Sequence, residues 1–159
     1  MRISTTVLGI FLSMAMHAQT HQIEKHNGQK IDVNFIKFQN NLLLYSPVGS
    51  TVEYKISKYA VAYLHDKKTS HSEMITPKVM LNSKKDFEKV TVIEPEHSIG
   101  LDSKKELVVY EGINKGGTNF FINEQSIRKI KYKVAEMGFP FVVIVDKNNG
   151  KFRVIAYNY

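Results

Sequence analysis

Between Thr20 and Asp66 apolar and polar residues alternate with period two, and turn residues interrupt the alternation at short intervals. Ile31, Val33 and Phe35 fall on one side of an extended chain, with Asp32 and Asn34 on the other, which predicts a strand with one face on a core. Val52, Tyr54 and Ile56 repeat the pattern against Thr51, Glu53, Lys55 and Ser57. His26-Asn27-Gly28-Gln29 predicts a hairpin, because a type I′ turn needs positive φ at both central positions and Asn-Gly supplies it. Gln39-Asn40-Asn41 and Pro47-Val48-Gly49-Ser50 break the chain around Leu42-Leu43-Leu44-Tyr45, and Tyr59 to Leu64 is the last run. These five short runs predict a bent sheet or an SH3-like barrel over residues 19–66.

Residues 67–86 lose both periods and are dominated by lysine and serine, the composition of a polar linker. Met74-Ile75 and Val79-Met80-Leu81 interrupt that polarity and give the segment something to dock on either half. Residues 87–159 read as α+β. Glu88 to Ile93, Glu106 to Tyr110 and Phe141 to Val145 predict strands, the last without alternation, as in a central strand covered on both faces. Asp146-Lys147-Asn148-Asn149-Gly150 turns the chain into a closing strand, Phe152 to Tyr157. One helix is predicted, Glu124 to Met137, with Asn123 as N-cap and Gly138 then Pro140 as its stop. Ile127, Ile130, Val134 and Met137 form its apolar stripe. The expected fold class is α+β, mostly β: a β-rich module, then an antiparallel sheet with one packed helix.

The first 18 residues follow another rule. Arg2 precedes the apolar run Val7 to Met16, and Ala18 closes it, the parts of a secretory signal peptide cleaved near Ala18. The run is too short to span a bilayer, which takes about 20 apolar residues, and no later segment replaces it. The chain has no cysteine, which excludes disulfides, thiol nucleophiles, thiolate metal sites and a lipidated cleavage-site cysteine. The expected location is the periplasm or the medium of a bacterium. A net charge of +7 favours anionic partners, an acidic glycan or a lipid headgroup, while export argues against nucleic acid.

The segments Asn27-Gly28-Gln29-Lys30-Ile31, Leu42 to Tyr45, Val52 to Ile56 and Ala60 to Tyr63 resemble a β-rich module of small exported proteins of Gram-negative bacteria. Ile99-Gly100-Leu101, the helix ending Ala135-Glu136-Met137-Gly138 and the strand Phe141 to Val145 are similar to a companion α+β module. These proteins are largely of unknown function, so the resemblance implies architecture and location and no catalytic residue.

Candidate chemistry is sparse. His21, His26, His65, His71 and His97 lack the helical spacing of zinc ligands, so no metal is expected. His97-Ser98 are sequence neighbours that point apart on a strand, and no Gly-x-Ser-x-Gly occurs. Glu94, Glu96 and Asp102 read as solvated loop acids, and Lys115-Gly116-Gly117-Thr118 is no phosphate loop. The helix carries Arg128, Lys129, Lys131, Tyr132 and Lys133 opposite its stripe, a solvated face with a capacity for anionic-surface contact. The expectation is a non-enzymatic envelope or secreted binding module with an unknown protein, acidic glycan or lipid headgroup as partner and no cofactor. The alternative is a small hydrolase with a site at the junction of the halves.

Overall fold

A computed structural model of the chain describes residues 20–102, 104–110, 124–148 and 150–159. The predicted signal segment, Asn123 as N-cap and the Lys115-Gly116-Gly117-Thr118 loop lie outside them. The fold is α+β and mostly β, with a larger antiparallel sheet, a smaller second sheet and one main helix.

The first sheet contains β1 (His21–Lys25), β2 (Lys30–Gln39), β3 (Leu42–Pro47), β4 (Tyr54–Ser57), β5 (Val61–Asp66) and β6 (Ser72–Met74), in the spatial order β4-β3-β2-β1-β5-β6. The sixth strand comes from the segment read as polar linker, and β4 and β6 stand at opposite ends of the ladder. Ile23, Val33, Leu43, Ile56, Val61 and Leu64 are the buried residues of its core. Val52 and Tyr54, expected inside, are exposed: Val52 precedes β4, which among the described residues is an edge strand paired with β3 alone, and only Ile56 of that alternation is covered. Two turns depart from expectation. Asn27 keeps a negative φ and only Gly28 is positive, at +87°; with Gly28 N–H donating to Lys25 O, this is a type I turn with a glycine bulge. The type I′ turn belongs instead to Asn40 and Asn41, at φ +49° and +61°.

The second sheet has the order β7-β9-β10-β8, from β7 (Thr91–Val92), β8 (Lys104–Tyr110), β9 (Phe141–Asn148) and β10 (Lys151–Tyr157). The β7 pairing with β9 is parallel, so the sheet is mixed and not purely antiparallel. The expected strand from Glu88 shrinks to β7 because a 3-10 turn over Lys84–Lys89, capped by Ser83 and Asp86, occupies its start. The helix, α1 (Glu124–Glu136), lies over this sheet: Ile130 and Val134 are fully buried against Val142, Phe152 and Val154. Its stripe is flanked by buried Ser126 and Ala135, while Ile127 and Met137 are half-buried. Gly138, at φ +78°, ends it: its N–H donates to Ala135 O and that of Phe139 to Val134 O. In β9, Phe141, Val142 and Val143 are buried, Val142 toward α1 and the other two in a second cluster with Ile93, against which Tyr59 and Leu101 pack. An irregularity in the β9–β10 register, at Arg153/Val154, leaves Val145 without a partner and exposed.

The halves meet along a polar and aromatic seam. Lys25, 7 % exposed, places Nζ 2.5 Å from Asp102 Oδ1, and Asn27 Nδ2 donates to the other oxygen of the same carboxylate. Ser57 N–H donates to Ile99 O, His97 Nε2 donates to Asn40 O at 2.8 Å, and Tyr59 meets Phe141 with ring centroids 5.2 Å apart. Ile75 packs on the first core and Leu81 on the second, so the segment between the halves contributes to both.

Candidate functional site

The basic residues of α1 are not a bare cationic face. Tyr132 stacks on Phe87 with centroids 4.0 Å apart and planes 14° off parallel, and the Arg128 guanidinium lies 5.2 Å from the Phe87 centroid and 5.7 Å from that of Tyr132. Lys131 and Arg128 share a cleft of about 320 Å³ with Glu88, Glu124, Ile127 and Phe87, so acids stand beside both bases. Lys133 pairs with Glu136 at 3.2 Å, and Lys129 is exposed. The structure thus brings Arg128, Lys131 and Tyr132 together around Phe87 and leaves Lys129 and Lys133 apart from them.

At the junction, His97 and Ser98 direct their hydrogen bonds to backbone carbonyls: His97 Nε2 to Asn40 O and Ser98 Oγ to Pro95 O at 2.7 Å. The donor atoms of Glu94, Glu96 and His97 lie within 4.8 Å of one another, but Nε2 is committed to the Asn40 carbonyl and both carboxylates are exposed. Zinc takes three or four converging ligands, and this set offers two mobile acids and one ring nitrogen.

The other face of the second sheet is more distinctive. In β8, Leu107 and Val109 turn toward α1, so Glu106, Val108 and Tyr110 take the opposite face. Val108 is 54 % and Tyr110 65 % exposed. Val108, Asp146, Asn148, Lys151 and Arg153 line a hollow of about 420 Å³ there. Lys151 Nζ stands 5.4 Å over the Tyr110 ring, and Arg153 Nε is 3.9 Å from Glu106 Oε1. Among the described residues β8 pairs on one side only, with β10, so its outer edge carries backbone N–H and C=O groups without ladder partners. Sequence reasoning found this strand but not its exposed face, since valines on both faces hide which side is covered.

A fourth cluster has a titration consequence. His26 Nε2 is 3.0 Å from Thr76 Oγ1, whose hydroxyl donates to Val61 O at 2.7 Å, so the imidazole donates to Thr76. Its ring packs on Tyr159 with centroids 4.2 Å apart and planes tilted by 53°, and Tyr159 Oη accepts from Val79 N–H. Burial, with the nearby Lys78 ammonium as a second cause, holds the His26 pKa below its ordinary value of 6.5. The folded state therefore binds fewer protons than the unfolded chain just below pH 6.5. Stability is full above that value and falls as pH drops through the folded pKa. Urea midpoints measured at pH 7.5 and at pH 5, above the carboxylate range, should show a loss at pH 5 that His26→Gln reduces. An unchanged pH dependence in that variant would rule out His26 as its source.

No helix among the described residues is long and apolar enough to cross a membrane. No family model matches the chain, and neither a curated protein nor a solved structure matches it.

Proposed function

We propose that this chain is an exported binding module that takes an extended segment of a partner protein along the outer edge of β8. The observation that carries the reading is the seven-residue length of that edge, paired on one side only among the described residues and flanked by exposed Val108 and Tyr110. Strand addition draws affinity from main-chain hydrogen bonds and specificity from the places that alternate side chains reach. Here those places are the apolar patch of Val108 and Tyr110 and the hollow holding Lys151 and Arg153. A segment whose side chains on that face, every second residue, are apolar and acidic in turn matches both, and the net charge of +7 assists its approach. Export rests on the apolar run before Ala18; a protein recovered from periplasm or medium without residues 1–18 supports it, and a retained leader counts against it.

The test uses a fluorescent eight-residue peptide, Val-Thr-Glu-Thr repeated twice, which puts valine and glutamate on one face, read by anisotropy against the folded protein. Binding should weaken about tenfold or more when alternate peptide nitrogens are methylated, which removes main-chain donors. Tyr110→Ala should weaken it by a similar factor. Equal binding of the methylated peptide, or no binding of the parent peptide, would count against strand addition.

A further inference from the structure

The outer face of the first sheet holds a hydrogen-bonded relay of three side chains from separate strands. His65 of β5 places Nδ1 2.7 Å from Ser72 Oγ of β6 and Nε2 3.0 Å from Glu24 Oε2 of β1. The strand register brings Ser72 directly opposite His65. Asp66 N–H donates to His71 O, and Ile75 N–H to Ala62 O. Hydrogen-bonded pairs alternate along an antiparallel ladder, so the His65–Ser72 pair is a non-hydrogen-bonded one. Such pairs bring side chains closest and turn the Ser72 N–H away from β5 toward the outer edge of β6, which no strand among the described residues covers.

The chemistry of the relay follows from its ends. Glu24 Oε2 also lies 3.3 Å from Lys30 Nζ, and hydrogen bonds from His65 first and then Lys30 hold its pKa below the usual carboxylate range. An ionised carboxylate is acceptor-only, so His65 Nε2 carries the hydrogen and Nδ1 presents a lone pair to the Ser72 hydroxyl. The Tyr63 ring, 5.9 Å away and 21° off parallel, supports the imidazole plane. A carboxylate that fixes the tautomer and a ring nitrogen that accepts the serine proton are the parts of an activated hydroxyl.

We propose that Ser72 is a nucleophile toward small activated acyl esters, with His65 as its general base and Glu24 as a positioning residue. Ser72 Oγ attacks the ester carbonyl as His65 Nδ1 takes its proton. The carbon–oxygen bond to the leaving alkoxide or phenoxide breaks, and that oxygen takes the proton from Nδ1, or departs as the anion while Nδ1 gives its proton to solvent, so that Nδ1 is again a base. Water then attacks the acyl-serine, giving its proton to Nδ1, and the carboxylic acid leaves as Ser72 Oγ regains a hydrogen. The Ser72 N–H at the open edge is the donor available to the developing oxyanion. Met74, exposed on the same outer face as Ser72, offers an apolar surface to the acyl or aryl group. This site lies on the opposite sheet from β8 and is independent of strand addition.

The experiment treats the folded protein with a fluorophosphonate probe, maps the adduct by peptide mass, and follows p-nitrophenyl acetate hydrolysis in parallel. Ser72 should label faster than exposed Ser70, and His65→Ala should slow both readouts about 100-fold. Glu24→Gln should slow them less, lowering kcat for p-nitrophenyl acetate with KM unchanged, and Glu24→Asp should restore part of the loss, since a carboxylate and not an amide fixes the imidazole tautomer. The groups around His65 in that comparison are Glu24 and Gln22 of β1, Lys30 of β2, Tyr63 of β5 and Ser72 of β6. Tyr110→Ala should leave labelling unchanged, which separates this site from the β8 edge. Labelling of Ser72 no faster than Ser70, or unaltered by His65→Ala in a variant with parental circular dichroism, overturns the proposal.

Discussion

Ile130→Ala is expected to lower the unfolding free energy by about 2–5 kcal/mol, the range for deleting a buried branched side chain with incomplete collapse around the cavity. Ile130 has no exposed surface and lies in the core formed by Val90, Val134, Val142 and Phe152. The Lys129→Ala, Lys133→Ala double change tests the opposite side of α1. Both lysines are exposed, and the Lys133–Glu136 contact is a surface pair, so the loss should stay under about 1 kcal/mol. Urea denaturation of the three proteins decides the matter. A double lysine variant less stable than Ile130→Ala would place the wrong face of the helix on the sheet.

Gly100→Ala should cost a comparable amount by another route. Gly100 has φ +89°, where an L side chain is strained by about 1–2 kcal/mol. Its added methyl would also stand 2.5 Å from Ile56 Cγ1, 2.8 Å from Ile56 Cδ1 and 3.3 Å from Ala60 Cβ. Ile56 is 4 % exposed and has little room to yield, so overpacking adds about 1–3 kcal/mol. Gly28→Ala supplies the control. Its φ is +87°, yet an added methyl meets nothing within 4 Å. The difference between the two variants isolates the steric part, and equal losses would mean that the seam at Gly100 is looser than its geometry states.

Much of this architecture is legible in the residues where local chemistry and burial agree. Gly138 and Pro140 stop α1 where expected, and Ile31, Val33 and Phe35 lie on β2 with Val33 buried. The pattern fails where a strand is an edge. Val52-x-Tyr54-x-Ile56 has the same period as a buried strand, but among the described residues no strand lies beyond β4, and most of its apolar side stays in solvent. Ser72-Glu73-Met74 has the opposite problem: all its residues are exposed, so no burial period marks β6. The parallel β7 pairing with β9 was equally hidden, because two residues carry no period at all. The candidate sites were less visible than the elements. Glu24 and His65 are 41 positions apart, and only the β1–β5 register brings their side chains together. The Arg128–Phe87–Tyr132 stack likewise required a 3-10 turn in place of the strand expected from Glu88.

The strand order also sets a timetable. From β1 to β4 each strand pairs with the next in sequence, so three ladders of the first sheet close over short stretches of chain. The second sheet starts locally only at the β9–β10 hairpin: β8 waits for β10, which lies beyond α1 and β9 in the chain. Closing short loops costs less entropy than closing long ones, so the β1–β4 meander should gain amide protection during refolding before β8 does. Pulse-labelling hydrogen exchange that found Leu107 and Val109 protected ahead of Val33 and Leu43 would reverse that sequence. During the interval β8 lacks its ladder partner β10, which makes it the segment most exposed to wrong pairing in a crowded, unfolded population.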